Sequence, residues 1–210
     1  MMLNLVKKDF ILAKKYWVVV FLISIVVPTF IESRTNFVSG GFYGFFITVL
    51  YNIFMLFNTV SMLEDKYKGT ALLCATSYTR SELVKAKYIF VLLIFLCTYI
   101  IYMSTTVIVP SLPILNTSAL GASFLIISIF FGIIIPLQYK MGYEETKYIS
   151  MAVVFLSNFV LPVILKFLYS HKINLQIMIP FGKLLPYVVA VIIGFISMTL
   201  SIHIFSKKNL

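Results

Sequence analysis

YIFVLLIFLCTYIIYMSTTVIVPSLPILNTSALGASFLIISIFFGIIIPLQY, residues 88–139, carries no charged side chain from Tyr88 to Tyr139 and is divided only by Pro110, Pro113, Asn116 and Thr117. A helix needs roughly 20 apolar residues to cross a bilayer, so this stretch holds two spans joined by a turn. Further uncharged runs lie on either side: Tyr16–Ile31 and Gly40–Leu63 before it, Tyr148–Leu165 and Leu184–Ser206 after it. At 61% hydrophobic and 11% charged residues, with mean hydropathy +1.03, the chain has too few polar residues for a water-facing surface. In lipid, backbone polar groups must be satisfied internally, and runs of this length do so as helices. The expected fold class is an all-α membrane protein of six transmembrane helices, forming one permease-sized domain over residues 1–210.

The basic residues set an orientation. With the N-terminus in the cytoplasm, Lys7, Lys8, Lys14, Lys15, Lys66, Lys68, Arg80, Lys85, Lys87, Lys140, Lys147, Lys207 and Lys208 fall inside, and only Arg34, Lys166, Lys172 and Lys183 fall outside. That bias places both termini in the cytoplasm. The formal charge of +10 then reflects topology and contact with anionic headgroups, not nucleic-acid binding, because no soluble basic domain exists to carry it. Met1–Lys15 carries four lysines and an aspartate, and the first span ends at Pro28 without a small-x-small cleavage site, so the first helix is expected to be retained. Cys74 and Cys97 fall at a boundary and within a helix, and predict neither a disulfide nor a metal site.

Residues 1–15 place Leu3, Val6, Phe10 and Ala13 at helical spacing, continued by Trp17, with the lysines mostly off that stripe; this predicts an amphipathic helix in the inner interface. Between the first two spans, Gly40 and Gly41 suit a tight turn. Asn52 and Asn58 in the second span and Asn158 in the fifth need partners in hydrocarbon; interhelical bonds are the first expectation and a place along a transport pathway the second. The 64–82 region alternates charge around an apolar run, Ala71–Ala75, which predicts a short surface helix, followed by Ser81 capping the third span without a capping box. The fourth span, Leu120–Gln138, is expected to end near Pro136, and the outer end of the fifth to kink or unwind at Pro162. Residues 166–183 read as a partly membrane-associated loop. His203 reads as an interface residue.

Intramembrane catalysis requires polar groups converging at depth, such as Ser with Lys or His, paired Asp, or HExxH. None is present: Asp9 and Asp65 are the only aspartates and both lie outside the spans. No Gly-rich loop ending in Lys-Ser/Thr occurs, so the chain has no P-loop for ATP. No catalytic, cofactor-binding or metal-ligating residue is assigned, and the near absence of charge in the spans argues against an ion-coupled carrier.

Glu64-Asp65-Lys66-Tyr67-Lys68-Gly69, then Leu73, then Tyr78-Thr79-Arg80-Ser81-Glu82-Leu83-Val84-Lys85-Ala86-Lys87-Tyr88 resembles the stretch after the second span in small bacterial permease subunits of type-two ATP-binding-cassette exporters. A second match, Pro136-Leu137-Gln138-Tyr139-Lys140-Met141-Gly142-Tyr143-Glu144, is similar to the turn between their fourth and fifth spans. Relatives carry Leu-Pro where this chain has Thr76-Ser77, so the end of the coupling helix is expected to be less sharply terminated. The resemblance implies a permease subunit of an ATP-driven exporter in a bacterial cytoplasmic membrane, dimerising with a second copy of itself or with a similar permease, the homodimer being the first expectation, and docking on an ATPase dimer that holds ATP and Mg. It implies coupling through Glu64, Asp65, Lys66, Gly69, Leu72, Leu73, Arg80 and Glu82, with auxiliary contact through Lys140, Gly142 and Glu144. Walls rich in Phe, Tyr and Met suit export of amphipathic or antimicrobial peptides; lipid or drug export and a non-transporting membrane scaffold are the alternatives.

Overall fold

The computed structural model describes residues 2–34, 41–74, 78–110, 112–170 and 184–208. These residues are helical almost throughout. Helix α1 (Met2–Leu12) is followed by a 3-10 turn (Lys14–Tyr16) and α2 (Trp17–Arg34); then come α3 (Phe42–Lys66), α4 (Gly69–Cys74), α5 (Arg80–Ile108), α6 (Thr117–Met141), α7 (Tyr143–Ser170) and α8 (Leu185–Ser206). Among the described residues, Lys14–Ile31, α3, α5, α6 and α8 are long and apolar enough to cross a membrane. That is five spans by length and composition, against the six expected. The remaining long helix, α7, has 28 residues and contains the uncharged run Tyr148–Leu165, but is not among the five.

Helix α3 occupies the centre. Phe45, Val49, Ile53, Leu56 and Val60 are fully sealed, spaced so that one continuous face of the helix is buried. It packs against α2, α5, α6 and α7. Its inward face is thus filled by its own protomer. Its start is fixed at Gly41, whose φ of +76° favours glycine. A Cβ there would lie 2.7 Å from Tyr102 Oη, the same hydroxyl that donates to Pro113 O at 3.3 Å. The turn before α3 is therefore locked against the α5–α6 turn.

Helices α6 and α8 approach closely because small residues sit between them. A Cβ on Gly121 would meet the Tyr187 ring at 2.8 Å, and Gly132 lies against Ile193 and Ser197. Ser197 Oγ donates across the contact to Gly132 O, and Tyr187 Oη donates to Thr117 O at 2.8 Å.

Several local expectations are corrected. The α1 stripe begins one turn late: Leu3 is 77% exposed, while Leu5, Val6, Asp9 and Ala13 face inward. Asp9 takes its place on that face because lysines surround it there. The cap of α5 is Thr79, not Ser81, and a capping box is present: Thr79 Oγ1 accepts from Glu82 N, and Thr79 N donates to Glu82 Oε2. The acidic residue lies three positions beyond Thr79, which restores the Thr-x-x-Glu pattern. Helix α6 runs through Pro136 to Met141, and α7 is unbroken from Tyr143 to Ser170. A proline near a helix end forfeits one backbone bond, which neighbouring groups can absorb. The expected termination at Thr76-Ser77 and most of the 166–183 loop lie outside the described residues.

Candidate functional site

Every described helix end that carries lysine or arginine in the 64–87 and 140–147 regions meets at one end of the molecule, together with α1 and the end of α8. The centre of this basic end is a buried group of four charges. Lys8 Nζ lies 2.9 Å from Asp9 Oδ1 and hydrogen-bonds Glu64 Oε1; Lys87 Nζ lies 2.7 Å from Glu64 Oε2 and 3.9 Å from Asp9 Oδ2. The Lys87 contact is one of charge, since its ammonium makes no aligned hydrogen bond. Asp9, Glu64 and Lys87 are each less than a tenth exposed. Two ammonium groups facing two carboxylates leave the group formally neutral, which is what allows burial of so much charge.

Electrostatics within α1 follow from that geometry. Burial raises the Asp9 pKa above the usual carboxylate value, an effect that Lys87 opposes and Glu64 reinforces. For Lys8, burial pulls downward, but the Glu64 and Asp9 charges and their hydrogen bonds outweigh it and the pKa is raised. Asp9 is the weaker anion of the two carboxylates and Lys8 a firmly held cation.

Around this knot, the loop between α3 and α5 is built as a projecting element. Lys68 adopts φ +48°, a left-handed turn that a non-glycine residue takes at a cost of about 1–2 kcal/mol. It leads the chain from α3 into α4, whose two leucines lie about 100° apart around the helix and differ in exposure. Leu73 packs inward on the cluster of Leu5, Val6, Leu83 and Val84, while Leu72 is 64% exposed. Tyr67, next to the turn, is also exposed.

Arg80 anchors the far side of the loop. Its Nη1 donates to Phe205 O, Ser206 O and Lys208 O at 3.1, 2.8 and 2.9 Å, and its guanidinium lies 5.7 Å from the Phe205 ring centre. A cation at the carbonyl end of α8 adds a donor to carbonyls beyond the regular helical ladder and complements the helix dipole. Lys208 Nζ donates in turn to Tyr139 O. A cavity of about 100 Å³ lies among these parts, walled by Ser61, Glu64, Thr70, Lys87, Tyr139 and Lys208.

The residues assigned to coupling therefore separate. Asp65, Lys66 and Leu72 lie on or near the surface. Glu64 is turned into the charge knot, Leu73 into the apolar cluster, and Arg80 and Glu82 serve helix ends; Gly69 packs on the Glu64 backbone. The Glu64 carboxylate is paired with Lys8 and Lys87. In the second loop Lys140 and Glu144 are exposed, the latter 4.0 Å from Lys147. Gly142 has φ +102° and ψ 175°, a conformation nearly confined to glycine, which accounts for a glycine between α6 and α7.

The span asparagines also separate. Asn52 is fully buried and its Nδ2 donates to Ser24 Oγ at 2.7 Å and Thr98 Oγ1 at 3.4 Å, joining α2, α3 and α5. Its amide N–H groups thus find partners within the protomer. Asn158 is half-buried and donates to Tyr51 Oη at 2.7 Å, tying α7 to α3; Asn58 is half-buried on α3.

Lys8, Asp9 and Lys87 were not singled out from the sequence. One signal was available: Asp9 falls three and four residues from Val6 and Leu5, on the apolar face of α1, where a charge needs a buried partner. Among the described residues no group of three or more His, Cys, Asp or Glu is placed to hold a metal ion, and Cys74 and Cys97 are free thiols.

No curated protein and no solved structure matches the chain. The sequence profile described as ABC-2 family transporter protein matches residues 4–206, which includes most of α1, every described span, both basic loops and Arg80. The chain belongs to this family of ABC-2 transporter proteins, and is a multi-pass membrane permease domain with no catalytic activity of its own.

Proposed function

We propose that the chain is one half of an ATP-driven exporter, with α7 as its sixth span, both termini in the cytoplasm, and a second copy of itself completing the pathway. Two ATPase subunits, holding ATP and Mg, dock at the basic end. The observation that carries this reading is α4: a short helix presenting Leu72 to solvent while Leu73, the charge knot and the Arg80 clamp tie both its flanks to the spans. An apolar side chain held outward on a rigid base suits a cleft on a partner, and rigid flanks pass its displacement to α3 and α5. Asp65, Lys66 and the exposed Lys140 and Glu144 supply a charged surround.

Leu72→Asp tests the docking role. It is expected to leave insertion and melting temperature unchanged and to abolish co-purification with the ATPase; undiminished co-purification would remove α4 from the contact. Leu73 is unsuitable for this test, because its replacement also breaks the apolar cluster beneath.

For cargo, we favour amphipathic peptides over lipids or drugs. Support comes from 20 Phe, 13 Tyr and 9 Met in a chain whose spans expose almost no charge, and from the half-buried Asn58 and Asn158 as polar contacts. Stimulation of ATP hydrolysis in the reconstituted complex by amphipathic helical peptides is the expected result. Stimulation by lipids or small dyes alone would select the alternative cargo.

A further inference from the structure

Between α5, α6 and α8 runs an apolar groove of about 210 Å³, whose floor includes the buried Phe131 and Ile127 and whose rim includes the exposed Leu92 and Phe195. Gly194 opens it: a Cβ built there meets nothing within 4 Å. At ~1.5 Å per residue, the lining positions lie roughly 9 to 26 Å from the basic-end termini of all three helices. Within a hydrocarbon core of roughly 30 Å this range begins in the basic-side leaflet and extends past the midplane.

The groove's chemistry selects its occupant. A whole helix, roughly 10 Å across, needs more room than the groove's volume of about 210 Å³ provides. An extended peptide would bring N–H and C=O groups that need partners, yet the hydroxyls nearby are engaged: Tyr88 Oη with Ser197 and Ser201 at 2.6 and 2.9 Å, and Ser197 with Gly132 O. Apart from the Ser128 hydroxyl, what remains is methylene and ring surface. At the mouth, Lys85 precedes Ile89 by four residues and Leu92 by seven, so it stands on the same face of α5, nearer the headgroup region. A lysine at that level attracts anionic lipid.

We propose that this groove is a binding site for a resident anionic phospholipid of the basic-side leaflet, one acyl chain lying along Gly194 and the phosphate opposite Lys85. The site is distinct from the proposed docking loop and does not depend on the ATPase reading.

The test uses the full chain in bilayer nanodiscs of phosphatidylglycerol and phosphatidylcholine, with a trace of either lipid bearing a diazirine on one acyl chain. Photolysis with the phosphatidylglycerol probe is expected to give adducts concentrated on peptides covering 88–95 and 190–198. Gly194→Phe, which fills the groove, should remove them while leaving labelling of α2 intact, and Gly194→Ala should not. Lys85→Glu should reduce labelling by the phosphatidylglycerol probe to that of the phosphatidylcholine probe. Adducts spread evenly over the exposed helix faces, labelling unaffected by Gly194→Phe in a chain of unchanged melting temperature, or equal labelling by both probes in the parent chain would each overturn the proposal. So would absence of adducts at the groove where a cysteine at Val191 cross-links to a second copy, since the face would then be a protein contact.

Discussion

Lys87 carries its charge on the inner face of an apolar helix, where it is tolerated only because Glu64 and Asp9 meet it. Removing one member leaves the others unbalanced in a poorly solvated place, at a cost of about 3–5 kcal/mol for a buried pair. Lys87→Met is therefore expected to lower the melting temperature steeply in detergent. Combining it with Glu64→Gln should recover most of the loss, because Lys8 and Asp9 still pair at 2.9 Å. The single tryptophan supplies the readout: Trp17 stacks on Phe10 at 5.5 Å, so its fluorescence reports whether α1 stays docked. Equal destabilisation by the single and double variants would mean that packing, not charge balance, holds this site. None of this was legible in the sequence beyond one misplaced aspartate, since Lys8 and Glu64 are 56 positions apart.

At the level of elements, the Arg-x-Glu run after α4 works as two helix terminators of opposite sign. Glu82 closes the N-terminus of α5 through the Thr79 box, and Arg80 closes the C-terminus of α8. Thr79→Ala should cost about 1 kcal/mol, as for other caps, whereas Arg80→Leu should leave α5 intact and loosen the end of α8. Hydrogen exchange distinguishes them: faster exchange at residues 80–83 in the first variant and at 205–208 in the second. Exchange at 205–208 unchanged by Arg80→Leu would refute the clamp. The Thr-x-x-Glu spacing was readable in the sequence and was obscured by the adjacent Ser81, which can cap equally well on composition alone. The Arg80 contact was not readable, because its acceptors lie 125 to 128 positions away.

For the whole molecule, orientation and stoichiometry are the open physical quantities. In a chain with Cys74 and Cys97 replaced, single cysteines at Asn36 and Leu175 should react with an impermeant maleimide in intact cells, and one at Lys68 should react only after permeabilisation. Labelling of the Lys68 position from outside would invert the arrangement. Two differently tagged copies should co-purify as a homodimer; recovery of each tag alone, with another permease, would show a heterodimer instead. Burial already narrows where a pathway can lie. Two thirds of the most apolar window of α3 is buried within the protomer, against 17 to 33% for the other four spans, so α3 is the internal post and the contact in the proposed dimer falls to the outer helices.

Hydropathy alone determined the solvent, the helical fold class and the position of most spans, because each depends on contiguous residues summed over a window. The paired basic loops, with the resemblance they carry, pointed to the family that the profile match established over residues 4–206. Only the tertiary structure decided which polar groups meet. Whether Asn52 faces a pathway or Ser24, and whether Glu64 faces a partner or Lys87, depends on the rotation of each helix about its axis and on neighbours distant in sequence. A charge or amide in a low-dielectric interior must find its partner wherever packing brings one, and no local pattern encodes that choice.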